Sequence, residues 1–360
     1  MTNNSEPSSK SALTLAESLA RPELLSLVPY ESARRIGGRG DIWINANESP
    51  FNNSDLDTLN RYPECQPEPL INAYSQYAKV PVENIVSTRG ADEGIELLIR
   101  TFCTPGVDKI ACFGPTYGMY AISAQTYNVG VNNLNLTDSY QLPENYASQI
   151  DGAKVVFICN PNNPTGTIIQ KQDITAAVEA MPNAIVVVDE AYIEFSPQYS
   201  VADLVTQYPN LVVLRTLSKA FALAGARCGF LMANSDIISL IMRVIAPYPV
   251  PLPVAELAQK ALSITGIELM QQQVAQLSTQ GQRLSNALQQ AGAKVLPAHG
   301  NFVLAEFTQP DTVSNALQQA GIVARAYKDP RLQSRIRFSF SHASDTDRLI
   351  DAINSLNSPV

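Results

Sequence analysis

The sequence predicts an α/β protein in which a large domain, with a mostly parallel doubly wound sheet, is joined to a smaller α+β domain. Three observations support this prediction. Short apolar runs of strand length alternate with amphipathic runs of helix length over the first two thirds of the chain, a pattern typical of βα units. From about Asn234 the pattern changes to longer helices. The 360 residues, 45% of them hydrophobic, are enough for about two domains with their own cores.

The first βα unit shows the pattern clearly. The strand-like run "NIVST" (84–88) precedes "ADEGIELLIRTF", which predicts a helix with one buried face because its apolar residues recur at i, i+3, i+4 and i+7. These residues are Ile95, Leu98, Ile99 and Phe102. Further strands are predicted at 109–113, 153–159, 184–190 and 211–216, and helices at 117–127 and 171–181.

Four prolines at alternate positions from 247 to 253 predict an extended connector, in which Pro253 is able to open the next helix. We place the domain junction there. Beyond it, "ELMQQQVAQLSTQGQRLSNALQQAG" predicts a long helix, and the short strands "NFVLAEF", "IVARA" and "RIRFSF" alternate with helices. The predicted organisation is a flexible tail (1–20), an N-terminal segment that joins the small domain (21–60), a large domain (61–250), and a connector, long helix and small C-terminal domain (251–360).

Composition excludes several classes of function. The 33 acidic and 25 basic residues give a net charge of −8, and no Lys/Arg run is present, so we expect no nucleic-acid or membrane partner. Five cysteines without a CxxC pair and only two histidines argue against a disulfide framework, a metal site and a Ser-His hydrolase. The polar opening "MTNNSEPSSKSALT" lacks the apolar core of a signal peptide, which favours a cytoplasmic protein.

Polar residues follow the predicted strands, and in doubly wound sheets the carboxyl ends of the strands line the ligand crevice. After the first strand, "RGADE" combines a glycine with a helix start, whose unpaired N–H groups can bind a phosphate. The later strands are followed by Asn163 in "NPNNPTG", by Asp189 and Tyr192, and by Ser218, Lys219 and Arg227. A phosphate cradle, an amide, a carboxylate, a phenol, a lysine and an arginine together form the set that a pyridoxal phosphate site requires.

The ordered motifs "NPTG", "DEAY" and "SKAFALAGARCG" resemble those of the fold type I pyridoxal-phosphate-dependent aminotransferases. Further stretches are similar to the histidinol-phosphate branch of that family, over residues 22–355: "PYESARR", "NANESP", "RYPE", "RGADEGIELLIRTFC", "PTYGMY" and "GIVAR". The resemblance implies pyridoxal 5'-phosphate as cofactor and a homodimer as the active unit. It also implies a reaction of L-histidine biosynthesis, in which histidinol phosphate and 2-oxoglutarate give imidazole-acetol phosphate and glutamate.

The resemblance implies roles for the cofactor-binding residues. Lys219 corresponds to the lysine that forms the internal aldimine and shuttles the proton, and burial with the neighbouring Arg227 should lower the pKa of its amine. Asp189 would pair with the pyridine nitrogen. The phosphate would be held by Ser218, Arg227 and the backbone at Ala91 and Asp92, the phenolic oxygen by Tyr192 and Asn163, and the ring by stacking on Tyr117; Tyr62 would reach the phosphate from the neighbouring subunit.

The substrate anions are expected to be bound by arginine, because its planar fork donates bidentately to either a carboxylate or a phosphate. We predict that Arg337 binds the α-carboxylate of glutamate and shares the substrate phosphate with Arg325, while Tyr30 helps to enclose the phosphate or the imidazole. Arg335 lies on the same face of the predicted strand as Arg337, because side chains alternate with a period of two. The sequence therefore leaves Arg335 as the alternative.

Three other functions are compatible with the sequence. A related class with this fold decarboxylates threonine phosphate with the same lysine and aspartate, and other fold type I aminotransferases use the same machinery. A cofactor-binding regulatory protein without turnover belongs to a different class, and it differs from an enzyme in giving no spectral change on addition of glutamate.

Overall fold

The large domain is built on a seven-stranded sheet in a computed structural model that describes residues 13–37 and 41–356. The strands are β1 (Ile85–Thr88), β2 (Lys109–Gly114), β3 (Gly130–Asn135), β4 (Val155–Cys159), β5 (Ile185–Asp189), β6 (Leu211–Thr216) and β7 (Gly229–Ala233). Their order is β1-β7-β6-β5-β4-β2-β3. Strand β7 is antiparallel to both neighbours, and all other pairs are parallel, so the predicted mostly parallel sheet is confirmed.

Helices cover both faces of this sheet. They are α1 (Leu15–Leu19), α2 (Ala33–Ile36), α3 (Glu68–Ala78), α4 (Ala91–Phe102), α5 (Met119–Thr126), α6 (Tyr146–Gln149), α7 (Lys171–Ala180), α8 (Ser235–Val244) and α9 (Leu252–Ala261). Short 3₁₀ turns lie at Pro22–Leu24, Val82–Asn84, Ile193–Phe195, Pro197–Tyr199, Ala202–Leu204 and Ala224–Ala226. In β5, Val186 and Val188 pack into one core with α3, α7 and α9, while Val187 packs into the other with α4, α5 and α8.

Two strands of the large sheet, β3 and β7, were not predicted from the sequence. Strand β3 is an edge strand with the polar sequence "GVNNLN", in which only Leu134 is buried, so it lacks an apolar run. Strand β7 is fully buried, but a loop rather than an α-helix connects it to β6. The pattern of alternating strands and helices therefore does not indicate it.

The segment predicted as a flexible tail, residues 1–20, contains a helix in its last part. Residues Leu15–Leu19 form helix α1, which Thr14 and Glu17 cap reciprocally, and which buries Ala16 and Leu19 against α8. An apolar face on a capped turn is enough to dock the segment. Residues 1–12 lie outside the described residues.

The segment that follows was expected to join the small domain, but its described contacts are with the large domain. Arg21 donates to the carbonyl oxygen of Arg100 in α4, and Arg243 in α8 donates to the carbonyl oxygens of Leu24 and Leu25. Arg21 thus ties the segment to the backbone of α4, and Arg243 ties the backbone of the segment to α8.

The small domain has a four-stranded antiparallel sheet in the order β10-β11-β9-β8. Its strands are β8 (Lys294–Val295), β9 (Phe302–Glu306), β10 (Arg325–Ala326) and β11 (Arg335–Ser339), and its helices are α10 (Ile264–Gln290), α11 (Pro310–Gln319) and α12 (Ala343–Asn354). Its core includes Leu288, Val303 and Phe338. The prediction of a second, α+β unit with a long helix is confirmed.

The proline-rich connector is non-helical from 245 to 251, and Pro253 lies in the first turn of α9, as predicted. However, α9 packs against α3, and Ala255 and Ala258 belong to the core of the large domain. The chain crosses to the small domain along the 27-residue α10. We therefore propose that the domain junction lies at the start of α10 rather than in the connector.

Each of the five cysteines is buried, which agrees with their expected role as small apolar side chains. Within residues 13–37 and 41–356, no helix combines the length and apolarity needed to cross a membrane.

Candidate active site

A cavity of about 600 Å³ opens at the carboxyl ends of the central strands and is lined by both domains. This volume is in the range of small-molecule sites. The structure brings eleven of the thirteen sequence-predicted residues into its lining: Ala91, Asp92, Tyr117, Asn163, Asp189, Tyr192, Ser218, Lys219, Arg227, Arg325 and Arg337.

One end of the cavity, at the start of α4, has the groups of a candidate anion site. Arg227 lies beside this helix start, where its Nη2 donates to Asp92 Oδ2 at 3.0 Å and its Nη1 donates to Ser218 Oγ at 3.2 Å. The unpaired N–H groups of the first helical turn, a guanidinium and a hydroxyl thus converge. This arrangement suits a phosphate monoester.

Two glycines make this convergence possible. Gly90 precedes α4 with φ of +82°, a conformation that side chains disfavour. A Cβ added to Gly229 would lie 2.6 Å from the carbonyl carbon of Gly90 and 2.8 Å from the nitrogen of Ala91. Strand β7 therefore approaches the helix start more closely than any residue with a side chain allows.

Lys219 lies in the turn after β6, with its Nζ 5.4 Å from the centre of the Tyr192 ring. Burial lowers the pKa of its amine, and the positive charge of Arg337 lowers it further. Arg227, the neighbouring charge that the sequence suggested, also lowers this pKa, but its effect is smaller than that of Arg337. Both effects favour the neutral amine that a nucleophile and proton shuttle needs.

Asp189 ends strand β5 and is 2% exposed. Its Oδ2 accepts a hydrogen bond from the Tyr120 hydroxyl at 2.6 Å, and its Oδ1 accepts one from the backbone N–H of Ala191 at 3.1 Å. Burial raises the pKa of this carboxyl to about 6, although both hydrogen bonds act in the opposite direction. The arrangement provides a buried acceptor for a cationic N–H group.

Asn163 links a phenol to an arginine on one side of the cavity. Its Nδ2 donates to the Tyr192 hydroxyl at 3.1 Å, and its Oδ1 accepts from Arg337 Nη1 at 2.5 Å. Burial raises the pKa of Tyr192 and keeps it protonated. The Nε of Arg337 is buried and has no hydrogen-bond partner among the described residues, so one donor of the fork is left for a ligand.

The two arginines of β11 have different surroundings. Arg335 forms an ion pair at 2.8 Å with Glu306, its direct neighbour on β9, and its guanidinium carbon lies 5.5 Å from the Tyr140 ring centre. Arg337 lies opposite Arg325 of β10, and both line the cavity. This geometry supports Arg337 rather than Arg335 as the residue that binds substrate anions.

Tyr117 donates its hydroxyl hydrogen bond to Asp92 Oδ1 at 3.0 Å, and its ring is nearly perpendicular to that of Tyr120, with 5.6 Å between the ring centres. Its ring forms part of the cavity wall. Sequence reasoning did not assign a role to Tyr120, and its position three residues after Tyr117, in the first turn of α5, was the only available signal. It also missed further lining residues: Thr116, Met119, Ile122, Cys159, Thr216 and Tyr327.

Two predicted residues lie outside this cavity. Tyr30 is 67% exposed on the segment before α2. Tyr62 stacks on Tyr248, with ring centres 4.4 Å apart, and lines a different pocket. Within one described chain, neither tyrosine is brought to the site.

The donor set fits pyridoxal phosphate at its three polar ends. The start of α4 with Ser218 and Arg227 suits the phosphate, Asn163 and Tyr192 suit the phenolic oxygen, and the buried carboxyl of Asp189 suits a protonated pyridine nitrogen. When bound, this cofactor supplies an electron sink for a substrate carbanion.

Comparison with known proteins gives consistent results. Residues 41–353 match the family model described as aminotransferase class I and II. A histidinol-phosphate aminotransferase of Shewanella oneidensis is 66% identical over 351 residues, which cover 95% of this chain and 90% of the relative. One from Salmonella typhi is 48% identical and covers 97% of this chain and 99% of the relative.

Solved structures share the fold. A crystal structure of histidinol-phosphate aminotransferase from Sinorhizobium meliloti, in complex with pyridoxal-5'-phosphate, superposes with a TM-score of 0.76. The match covers 82% of this chain and 83% of the other, at 21% sequence identity.

Proposed function

Because the chain belongs to the aminotransferase class I and II family, we propose that it transfers an amino group between histidinol phosphate and 2-oxoglutarate. The products are imidazole-acetol phosphate and glutamate, and the step belongs to L-histidine biosynthesis. The names of curated relatives at 48–66% identity over nearly the whole chain support this substrate. In the structure, the observation that carries the proposal is the arginine pair at the cavity, because both substrates present an anion next to the reacting carbon.

The residues of the chain divide the chemistry between them. With pyridoxal phosphate bound, the neutral amine of Lys219 would accept the proton from the substrate Cα and deliver it to C4′ of the cofactor, the shift that amino transfer requires. The carboxylate of Asp189 holds the proton on the pyridine nitrogen. Asn163 and Tyr192 orient the ring through its phenolic oxygen.

Arg337 provides the anion specificity in this proposal. Its Nη1 is held by Asn163, and its Nε lacks a partner among the described residues, so it can donate to the α-carboxylate of glutamate. The substrate phosphate is bound by Arg337 together with Arg325, which lies opposite it across the β10–β11 pair. A guanidinium that can bind either a carboxylate or a phosphate explains how one site serves two unlike substrates.

We further propose that the active unit is a cytoplasmic homodimer. The segment from 41 to 62 exposes large apolar side chains, among them Ile42 at 84%, Ile44 at 88% and Phe51 at 76%. Clustered exposed apolar residues mark interaction surfaces. Tyr62 lies at the end of this segment and outside the cavity of its own chain, as expected if it reaches the phosphate in a second copy. In this proposal, Tyr30 helps to enclose the substrate phosphate or the imidazole only in the assembled dimer.

The proposed function is tested by incubating the purified protein with histidinol phosphate and 2-oxoglutarate and measuring glutamate. We expect glutamate to form only when both substrates are present. In a parallel reaction with threonine phosphate and no amino acceptor, release of carbon dioxide would instead identify a decarboxylase. A protein that binds the cofactor but shows no spectral change with glutamate would be a regulatory protein without turnover.

A further inference from the structure

Tyr120 is a fully buried tyrosine that contacts the candidate site from behind. It lies in the first turn of α5, and its hydroxyl donates to Asp189 Oδ2 at 2.6 Å. Its ring stacks on Phe157 of β4, with centres 4.6 Å apart and planes 7° apart, and meets the Tyr117 ring edge-on. Packing on both sides therefore fixes the position of the hydroxyl.

We infer that Tyr120 is a positioning residue that keeps the buried Asp189 ionised and oriented toward the pyridine nitrogen of the cofactor. The inference rests on the proposed function only in requiring that pyridoxal phosphate binds in this cavity. With Oδ2 held by Tyr120 and Oδ1 by the N–H of Ala191, the carboxylate cannot rotate freely.

The electrostatic part of this role follows from the surroundings of Asp189. Burial raises the pKa of the Asp189 carboxyl to about 6, and the Tyr120 hydroxyl is the strongest influence that lowers it. The titratable groups that face this carboxyl are Tyr120, Cys159, Asp92, Lys219, Tyr117 and Tyr192. Asp92 raises the pKa of Asp189 and Lys219 lowers it. Without the Tyr120 hydroxyl, less opposes the effect of burial, and the pKa of the Asp189 carboxyl should rise.

The direction in which cofactor affinity changes with pH depends on which protonation state of Asp189 binds the cofactor. An ionised Asp189 attracts the protonated pyridine nitrogen, whereas a protonated Asp189 must lose its proton on binding. Cofactor affinity should therefore fall as the pH drops through the pKa of Asp189. In Tyr120→Phe this fall should begin at a higher pH.

The experiment is a titration of the cofactor-free protein with pyridoxal phosphate, followed by absorbance, from about pH 5 to about pH 9. A hydrogen bond to a charged group is worth roughly tenfold or more in an equilibrium constant. We expect the midpoint of the affinity loss to move up by about one pH unit in Tyr120→Phe. Near pH 5 the variant should bind on the order of tenfold more weakly, and near pH 9 almost normally, because Asp189 is then ionised in both proteins. The phosphate of the cofactor also titrates near pH 6, but equally for every variant.

Tyr74→Phe is the matched control. Tyr74 is also fully buried and stacks on a phenylalanine, Phe230, with centres 3.4 Å apart, but its hydroxyl has no hydrogen-bond partner among the described residues. We expect its pH profile to follow that of the wild type. In an Asp189→Asn background, Tyr120→Phe should cause no shift, since the amide does not titrate.

Two results would overturn the inference. One is an unchanged midpoint in Tyr120→Phe, and the other is a loss of affinity that is equal at every pH, as a packing defect would give. Cofactor binding is measured without substrate. The test can therefore contradict the role of Tyr120 without contradicting the proposed function, and the reverse. A normal shift without turnover of histidinol phosphate contradicts the proposed function alone, and normal turnover without a shift contradicts the role of Tyr120 alone.

Discussion

Burial moves the pKa values of the two central residues of the site in useful and opposite directions. It lowers the pKa of the Lys219 amine, which favours the neutral nucleophile, and it raises that of the Asp189 carboxyl to about 6. For Lys219 the second cause is the charge of Arg337, a residue of the other domain. The lysine is thus influenced by the same arginine that we propose to bind the substrate.

Covalent attachment of the cofactor tests Lys219 directly. We expect borohydride to fix pyridoxal phosphate to the wild-type protein and to Lys171→Ala, but not to Lys219→Ala, as measured by protein mass. Lys171 is a suitable control because it forms an ion pair with Asp203 at the surface. Equal fixation in Lys219→Ala would show that another amine is used.

The residues of the site could be predicted from the sequence where they directly follow a strand, because parallel strands bring their carboxyl ends to one edge. Asn163, Asp189 and Lys219 were found in this way. Tyr120 could not be, because its role depends on a hydrogen bond between positions 69 residues apart. Nothing in a helical "YGMY" pattern indicates where a buried hydroxyl will point.

At the scale of the element, the register of β11 decides which arginine faces the substrate. Arg337→Lys should raise the Michaelis constants for both substrates, since each lost charge-assisted hydrogen bond costs about 1.5–3 kcal/mol. Arg325→Lys should impair histidinol phosphate more than glutamate. Arg335→Lys is the matched control, because its side chain pairs with Glu306 outside the cavity. Steady-state kinetics that show a defect in Arg335→Lys but not in Arg337→Lys would reverse this assignment.

The close approach of β7 to α4 gives a second prediction at this scale. In Gly229→Ala the new Cβ would meet backbone atoms of Gly90 and Ala91 at 2.6 and 2.8 Å, and backbone cannot move aside as a flexible side chain does. We expect a loss of about 1–3 kcal/mol in stability and weaker binding of the cofactor phosphate. Thermal unfolding and cofactor titration measure the two effects.

Gly225→Ala serves as the control for this substitution. A Cβ at Gly225 would meet no atom within 4 Å, and its backbone angle is ordinary. If Gly229→Ala and Gly225→Ala behaved alike, the close approach of β7 would not be needed to form the anion site.

Elements with a strong periodic pattern were predicted correctly, and those shaped by tertiary contacts were not. The predicted apolar face of α4 is buried at all four positions: Ile95, Leu98, Ile99 and Phe102. By contrast, the polar β3 is a strand because it pairs along its whole length with β2, which the sequence of β3 does not indicate. Helix α1 likewise depends on docking against α8.

At the scale of the whole molecule, the small domain adds Arg325, Tyr327 and Arg337 to the cavity lining, and contacts with the large domain hold it in place. Arg331, in the loop before β11, donates to the carbonyl oxygens of Gly114 and Leu136 at 2.9 and 3.0 Å. The backbone N–H of His299 donates to the carbonyl oxygen of Gly166 at 2.9 Å. These contacts fix Arg325 and Arg337 relative to Lys219, and such pairings between distant parts of the chain are not visible in a sequence read alone.

The proposed homodimer leads to a prediction about two defective variants. Lys219→Ala lacks the reactive amine, and Tyr62→Phe lacks the hydroxyl that we propose contacts the cofactor phosphate in the partner. If Tyr62 acts across the interface, a mixed dimer contains one site with both defects and one site with neither.

Unfolding the two variants together and refolding them should therefore restore activity. Random pairing makes half of the dimers mixed, each with one intact site of two, so we expect about one quarter of the wild-type activity. The assay is run at a cofactor concentration at which Tyr62→Phe alone is nearly inactive. Refolding the two variants separately and then combining them should restore nothing, provided that the dimers do not exchange subunits. If the co-refolded sample is no more active than the average of the separate variants, Tyr62 acts within its own chain. A residue that acts within one chain cannot be supplied by its partner.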